Sequence, residues 1–326
     1  MATRKEVAAY AGVSEATVSY VLNKTKHVTP EVKARVEEAA RELHYTPNLV
    51  ARGLATRRMQ HVAMLVNNLR NPHYVEMLAG AQSVASKKGY IVSIILVDYS
   101  NEEEGLRLTA RGVDGAIVAT VDTATTASFL DGKMHYVLPG EGGQMDYRDG
   151  ILAAVKSLKE KGHRKVAFLS GLHLQSENHS RYRYLQEAFS LYGIPLTEEL
   201  LVDGNEREDT DEAAGAQAVR SLLERKCSFT AVIALNDLMA FGAMRELKDH
   251  GLRVPEDVSV VGCDNVEMGR YYIPSLSTLD VDSFSIGKVL MKNLIAKINH
   301  RPGKEYKVNA SYVERESVAE CREIQE

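Results

Sequence analysis

Arg181, Asp264, the Asn236-Asp237 pair and the run Asn71-Pro72-His73-Tyr74 each stand close behind a short apolar run. They are the polar side chains placed to hold a small ligand. An arginine and an aspartate in one cleft suit hydroxyl-rich molecules through charge-assisted hydrogen bonds. Taken singly, each also reads as a surface ion-pair partner, and Asn236 as a helix cap. Catalytic chemistry finds no support. No Gly-x-Ser-x-Gly, His-Glu-x-x-His or Walker sequence occurs, and Gly140-Glu141-Gly142-Gly143 fails the dinucleotide pattern at Met145. Cys227, Cys263 and Cys321 are far apart, in no metal-ligand spacing, and fit a reducing cytoplasm. The acidic run from Glu206 to Glu212 reads better as a solvated loop feeding a helix N-terminus than as a cation site. No cofactor or metal is expected.

The elements that must carry these residues alternate. Apolar runs at 62–66, 90–97, 115–119, 166–170, 231–235 and 258–262 are separated by helical patterns. That alternation predicts parallel sheets of doubly wound type, where ligands bind beyond the strands' carboxyl ends. The chain has 326 residues, 44% hydrophobic and 26% charged, which excludes disorder, collagen and coiled coil as the main state. With no apolar h-region behind Met1 and no apolar run near membrane length, neither an export signal nor a span is expected.

Charge is unevenly placed. The first sixty residues hold ten basic side chains against six acidic ones, +4, leaving 30 against 38, or −8, for the remainder. A basic head on an acidic body points to a polyanion partner for the head alone. In that head, Thr3-x-x-Glu6 reads as a capping box, Gly12 as a left-handed stop, Ser14 as the next cap, and Thr29-Pro30 as a third helix start. Val18, Val21 and Leu22 form one inward stripe; Val32, Val36, Ala39, Ala40 and Leu43 form another. Three short helices with a tight Gly turn describe a helix-turn-helix or a generic three-helix bundle. Tyr45-Thr46-Pro47-Asn48 breaks the third helix, and 49–56 is a basic segment too short to be helical unless its target holds it.

Val7-Ala8-Ala9-Tyr10-Ala11-Gly12-Val13-Ser14-x-x-Thr17-Val18-Ser19, followed by Val21-Leu22-Asn23, resembles the lactose-repressor (LacI/GalR) family of bacterial transcription factors. Tyr45-x-Pro47-Asn48-x-x-Ala51-Arg52-x-Leu54 is similar to that family's hinge, and Gly162-His163-Arg164-Lys165-Val166 and Ser259-Val260-Val261-Gly262 extend the likeness into the body. The resemblance implies a small all-α helix-turn-helix headpiece over 1–46, a hinge over 47–60, and an α/β body over 61–326. That body would be periplasmic-binding-protein-like: two doubly wound lobes with crossovers near 146, 280 and 308. It implies a repressor, active as a cytoplasmic homodimer on double-stranded DNA at a palindromic operator and controlled by a small-molecule effector, by default a sugar or sugar derivative.

By the same resemblance Glu15, Ala16 and Tyr20 read bases, and Ser14, Thr17, Ser19 and Asn23 contact the DNA backbone. Asn48, Ala51 and Leu54 serve the hinge, with Leu54 the wedge in the minor groove. His73, Tyr74, Arg181, Asn236 and Asp264 bind the effector. Glu15 has a second reading as an acid at a helix N-terminus. Several positions depart from the family. Tyr20 stands where arginine is usual, Thr210 where a stacking aromatic is usual, and Pro139 where a polar residue is expected. Tyr182 and Tyr184 are the candidates for the missing ring, and one N-lobe helix reads as trimmed between 99 and 113 or between 120 and 145. A solute-binding component and an α/β enzyme are the competing classes. The basic head argues against both.

Overall fold

The computed structural model describes residues 2–23, 26–46, 53, 58–97, 107–108, 110–120, 123–140, 143–175, 179–205 and 208–322. The chain divides into two compact units, Met1–Gln60 and His61–Glu326. In the first, α1 (Arg4–Ala11) opens on the full capping box, with Thr3 Oγ1 accepting from Glu6 N and the Glu6 carboxylate accepting from Thr3 N. Gly12 ends it at φ 61°, a left-handed conformation that L side chains resist. Helices α2 (Glu15–Asn23) and α3 (Pro30–Glu42) follow. Thr29 caps α3 by accepting from Val32 N, and Pro30 supplies the fixed φ of a first helical residue. Val7, Ala8, Ala11, Val18, Val21, Val36 and Ala39 form the core. Arg35 donates to the Ala11 and Gly12 carbonyls and so ties α3 to the turn between α1 and α2. Asn48, Ala51 and Leu54, the hinge expectation, lie outside the described residues.

The second unit holds two parallel sheets. The N-lobe sheet runs β2 (Ile91–Leu96), β1 (His61–Val66), β3 (Gly115–Val118), β4 (His135–Val137). Helix α4 (Pro72–Ala85) packs on one face of it, and α5 (Thr123–Leu130) lies between β3 and β4. The C-lobe sheet runs β12 (Ser311–Val313), β10 (Ser277–Asp280), β9 (Ser259–Cys263), β8 (Ala231–Ala234), β6 (Val166–Leu169), β7 (Leu201–Val202), with only β12 antiparallel. Helices α6 (Arg148–Glu160), α7 (Ser180–Tyr192), α8 (Glu212–Glu224) and α9 (Asp237–Asp249) cover it. The central C-lobe strands β6, β8 and β9 are buried at every residue, which is why these runs are largely apolar rather than alternating.

The chain passes between the lobes three times. It leaves the N-lobe through β5 (Gly143–Asp146), returns after β10 into α10 (Ser283–Ile298), and leaves again through β11 (Tyr306–Asn309). Strands β5 and β11 pair in parallel, Asp146 opposite Asn309. Ile286, Leu290, Met291, Leu294 and Ile298 of α10 complete the N-lobe core against Val62, Met64, Met77 and Ala81. Helices α4 and α10 meet glycine to backbone: a Cβ on Gly80 would stand 1.9 Å from Phe284 O, and one on Gly287 1.8 Å from Met77 O. The C-lobe repeats the joint in α8 and α9, where a Cβ on Gly215 would stand 2.0 Å from Met239 O.

Candidate functional site

A cavity of about 340 Å³ lies between the lobes, and all five predicted effector residues, His73, Tyr74, Arg181, Asn236 and Asp264, line it. From the N-lobe, Asn71 caps α4 by accepting from His73 N at 2.9 Å, which places His73 and Tyr74 on the first turn, facing the gap. Tyr74 donates to Asn67 Oδ1 at 2.9 Å. His73 Nδ1 lies 2.7 Å from Ser283 Oγ of its own lobe and 3.7 Å from Asp264 Oδ1 of the other. Burial and the Arg181 charge push this imidazole down to about 4, so it is neutral at pH 7.

From the C-lobe, Arg181 on the first turn of α7 donates to Leu235 O at 2.7 Å, and its guanidinium carbon sits 5.1 Å from the Tyr147 ring centre. Asp264 follows β9 at φ 121°, and Asn265 follows at φ 52°. Two consecutive non-glycine residues with positive φ cost on the order of 1–3 kcal/mol each and persist only where the surroundings over-determine them. Here they do. Arg315 Nη2 donates to Asn265 Oδ1 at 2.5 Å, Asn265 N donates to Thr278 Oγ1 at 3.3 Å, and Val266 N donates to Asp237 Oδ2 at 2.8 Å. The strained turn aims the Asp264 carboxyl into the cavity. Burial pushes it up to about 7, against the downward pull of Arg181. Asp237, buried beneath the turn, is likewise pushed up to about 7 by burial and by Asp264.

Asn236 does what its cap reading anticipates: Oδ1 accepts from Met239 N at 2.9 Å, and Nδ2 donates to Thr210 O at 2.8 Å. One amide hydrogen and one lone pair remain for the cavity. Pro139 and Thr210 also form its walls. The expected ring does not come from Tyr182 or Tyr184. Tyr182 stacks on Phe168 with ring centres 5.9 Å apart, and Tyr184 packs against the C-lobe core. The helical phase that turns Arg181 into the gap turns its neighbours away. Tyr147, at the first crossover, supplies the ring beside Tyr74. Sequence reasoning missed it, and missed Ser283 as the partner of His73; the only signal was Tyr147's place beside an expected crossover.

His179 caps α7. Its Nδ1 accepts from Tyr182 N at 3.2 Å, so Nε2 carries the proton toward Ser170 Oγ at 2.7 Å. Burial and Arg181 push it down to about 4. The unfolded chain takes this proton at about pH 6.5, so the stabilisation is complete above that pH and is lost as pH falls toward about 4. His179→Asn keeps a capping side chain and removes the titration. Its urea midpoint should fall less than the wild-type midpoint between about pH 7 and about pH 4.5.

In the first unit, Val18 and Val21 hold α2 to the core, so Glu15, Ala16, Ser19, Tyr20 and Asn23 share its outer side. Ser14 Oγ accepts from Thr17 N at 3.1 Å and lies 2.9 Å from Thr17 Oγ1, and Asn23 Nδ2 donates to Ser19 Oγ at 3.0 Å. Lys26 Nζ donates to the Tyr20 hydroxyl at 3.3 Å and lies 4.6 Å from its ring centre. Among the described residues no helix is long and apolar enough to cross a membrane, and no cluster of three or more His, Cys, Asp or Glu is arranged to hold a metal. Asp211 of the acidic run caps α8, accepting from Ala214 N.

Residues 3–48 match the model for bacterial regulatory proteins of the lacI family, and residues 155–318 match that for a periplasmic binding protein-like domain. The chain is 32% identical to the HTH-type transcriptional repressor PurR of Pectobacterium carotovorum subsp. carotovorum (strain PC1), covering 98% of both. It is 34% identical to the PurR of Vibrio atlanticus (strain LGP32), covering 98% of this chain and 99% of that one. Among solved structures it is similar to the lac repressor dimer bound to operator and the anti-inducer ONPF, with a TM-score of 0.78 and 26% identity over 98% of this chain and 99% of that chain. It is also similar to the complex of the transcriptional regulator CelR with cellobiose, with a TM-score of 0.66 and 26% identity over 97% of this chain and 100% of that chain.

Proposed function

Because the chain belongs to the lacI family of bacterial regulatory proteins, we propose that it represses transcription by binding DNA through residues 1–60, under control of a small molecule held between the lobes of its body. It is a DNA-binding regulator and not an enzyme. The observation that carries the reading is the cavity, where His73 of one lobe faces Asp264 and Arg181 of the other, so a ligand bridging them favours one lobe arrangement. The size of the switch equals the ligand's differential affinity for the two arrangements.

On the DNA, Glu15 accepts from a cytosine amino group, Ala16 touches a thymine methyl, and Tyr20 completes the base-reading row. Ser14, Thr17, Ser19 and Asn23 meet phosphates and fix position. Asn48, Ala51 and Leu54 form the hinge on the minor groove. The working form is a cytoplasmic homodimer on a palindromic operator. Two facts support the dimer: the lac repressor, a similar structure, is a dimer on its operator, and this body exposes a run of large apolar side chains at Met268, Tyr271, Tyr272 and Ile273, the last 96% exposed. The effector is a hydroxyl-rich molecule, by default a sugar. Arg181 and Asp264 suit one, and the similar CelR structure holds cellobiose.

The test is fluorescence anisotropy on a duplex selected from random DNA, with a panel of sugars, sugar phosphates and nucleobases. We expect tight binding to one palindrome whose logarithm falls steeply and linearly with log salt, the slope being about −0.9 per phosphate neutralised. One member of the panel should alter it. Weak binding blind to sequence would sink the repressor reading. Palindrome binding untouched by every sugar would discard the sugar and keep the repressor.

A further inference from the structure

The outer side of α2 presents an acid, a methyl and a phenol at its three base-reading positions, Glu15, Ala16 and Tyr20, and no cation. The cation comes from elsewhere. Lys26, three residues beyond the last residue of α2, turns back so that its ammonium donates to the Tyr20 hydroxyl at 3.3 Å and lies 4.6 Å from the ring centre. Two attractions of different kind, a hydrogen bond and a cation–π contact, thus converge on one amine. Lys26 is itself exposed, and among the described residues no carboxylate pairs with it. A lysine on an open surface ordinarily samples many rotamers, and the Tyr20 seat removes much of that freedom before any partner arrives.

Resting on the DNA-binding reading above, we infer that Tyr20 and Lys26 act as one base-reading unit that selects guanine. The ammonium keeps two N–H groups after donating to Tyr20, and the phenol, accepting from Lys26, keeps its own O–H to donate. The outward face of the pair therefore carries two N–H groups and one O–H group against a single remaining phenol lone pair. In the major groove guanine alone offers two adjacent acceptors, N7 and O6, whereas adenine pairs an acceptor with a donor and cytosine shows a donor. A face so rich in donors, and carrying a positive charge, meets the guanine edge and is opposed by the amino groups of adenine and cytosine. The ring provides reach: it carries the charge at the helix surface, where a loop lysine without a seat is a mobile point charge that attracts phosphates indiscriminately.

The experiment is selection of duplexes from a random pool by the full chain as wild type, Lys26→Met, Tyr20→Phe and Tyr20→Ala, followed by affinities over a salt series for every single-base change in the selected site. Lys26→Met should lose about 5- to 100-fold of its preference for guanine at one position in each half-site, with the other positions keeping their order. Tyr20→Ala should relax the same position, Tyr20→Phe should relax it less, and Lys26→Met combined with Tyr20→Ala should add little to either alone. A uniform loss of affinity over all sequences, with the log–log salt slope shallower by about one, would make Lys26 a plain phosphate contact and overturn the proposal. So would a Lys26→Met profile identical to wild type. If the wild type itself selects no sequence, the DNA-binding reading fails first and takes this one with it.

Discussion

A Gly242→Ala protein is expected to be less stable than wild type by about 3 kcal/mol, with a fall in Tm of about 6–12 °C. The added Cβ would stand 1.8 Å from Glu212 O and 3.0 Å from Ala216 N. Both atoms belong to the backbone of α8, so no side-chain rotation relieves the overlap. The helices must move apart by more than an ångström, which also loosens the contact of Val219, Leu222 and Leu238 with the sheet beneath. Gly132→Ala is the contrast. It has φ 70° but nothing within 4 Å of its would-be Cβ, so only the left-handed backbone is penalised, at about 1–2 kcal/mol. Thermal and urea unfolding of the two variants side by side separate close approach from backbone strain. A Gly242→Ala midpoint indistinguishable from wild type would mean that α8 and α9 do not meet as closely as the structure has them.

Arg181→Met should weaken effector binding by about 2–5 kcal/mol, a loss of roughly 30-fold to several thousandfold, while leaving operator affinity in the absence of effector unchanged. Arg181 is the cation closest to Asp264 in the cavity, and removing it deprives the ligand of a charged donor and leaves the raised Asp264 carboxyl without its counterweight. Arg181→Lys should recover only part of the loss. An ammonium restores the charge but not the planar fork that bonds Leu235 O while resting against the Tyr147 ring. Calorimetry with the panel molecule that alters operator binding gives the effector affinity, and anisotropy without it gives the operator affinity. Equal effector affinity in Arg181→Met and wild type would remove Arg181 from the binding site.

The headpiece was legible because its helix starts and the stop of α1 each follow a local rule. Thr3 with Glu6, Gly12, Ser14 and Thr29-Pro30 act within four residues of themselves, and each is found performing its cap or stop. The cleft was half legible. Asn236 and Asp264 stand just behind β8 and β9, and Arg181 on the helix that follows β6, all beyond the strands' carboxyl ends, where the topology of a parallel sheet puts ligand contacts whatever the ligand. Tyr147 was not legible, since it enters the site through the path of a crossover and not through any pattern of its own. Nor was the bond from His73 to Ser283, which joins residues 210 positions apart. The ring assigned to Tyr182 or Tyr184 failed on helical phase: one residue's rotation about α7 separates the cavity from the Phe168 face. The strain at Asp264 and Asn265 leaves no mark in residue type beyond a tolerance of Asn and Asp for positive φ.

Helix α10 closes the N-lobe core, yet it is encoded after the whole of the C-lobe except its last strand. A chain growing on the ribosome has made β1 to β4 by residue 137 but has only Met77, Ala81 and Ala85 of α4 to lay over Val62, Met64 and Ile117 until Ile286, Leu290 and Leu294 emerge. Until then the part of that apolar sheet face that α10 covers is open to other nascent chains, at the size of protein where such exposure leads to aggregation. The C-lobe, whose covering helices α6 to α9 are interleaved with its own strands, meets no such delay. The lobe synthesised first therefore waits longest for its covering helix, and chaperone demand should be greatest while residues 138–282 are being made.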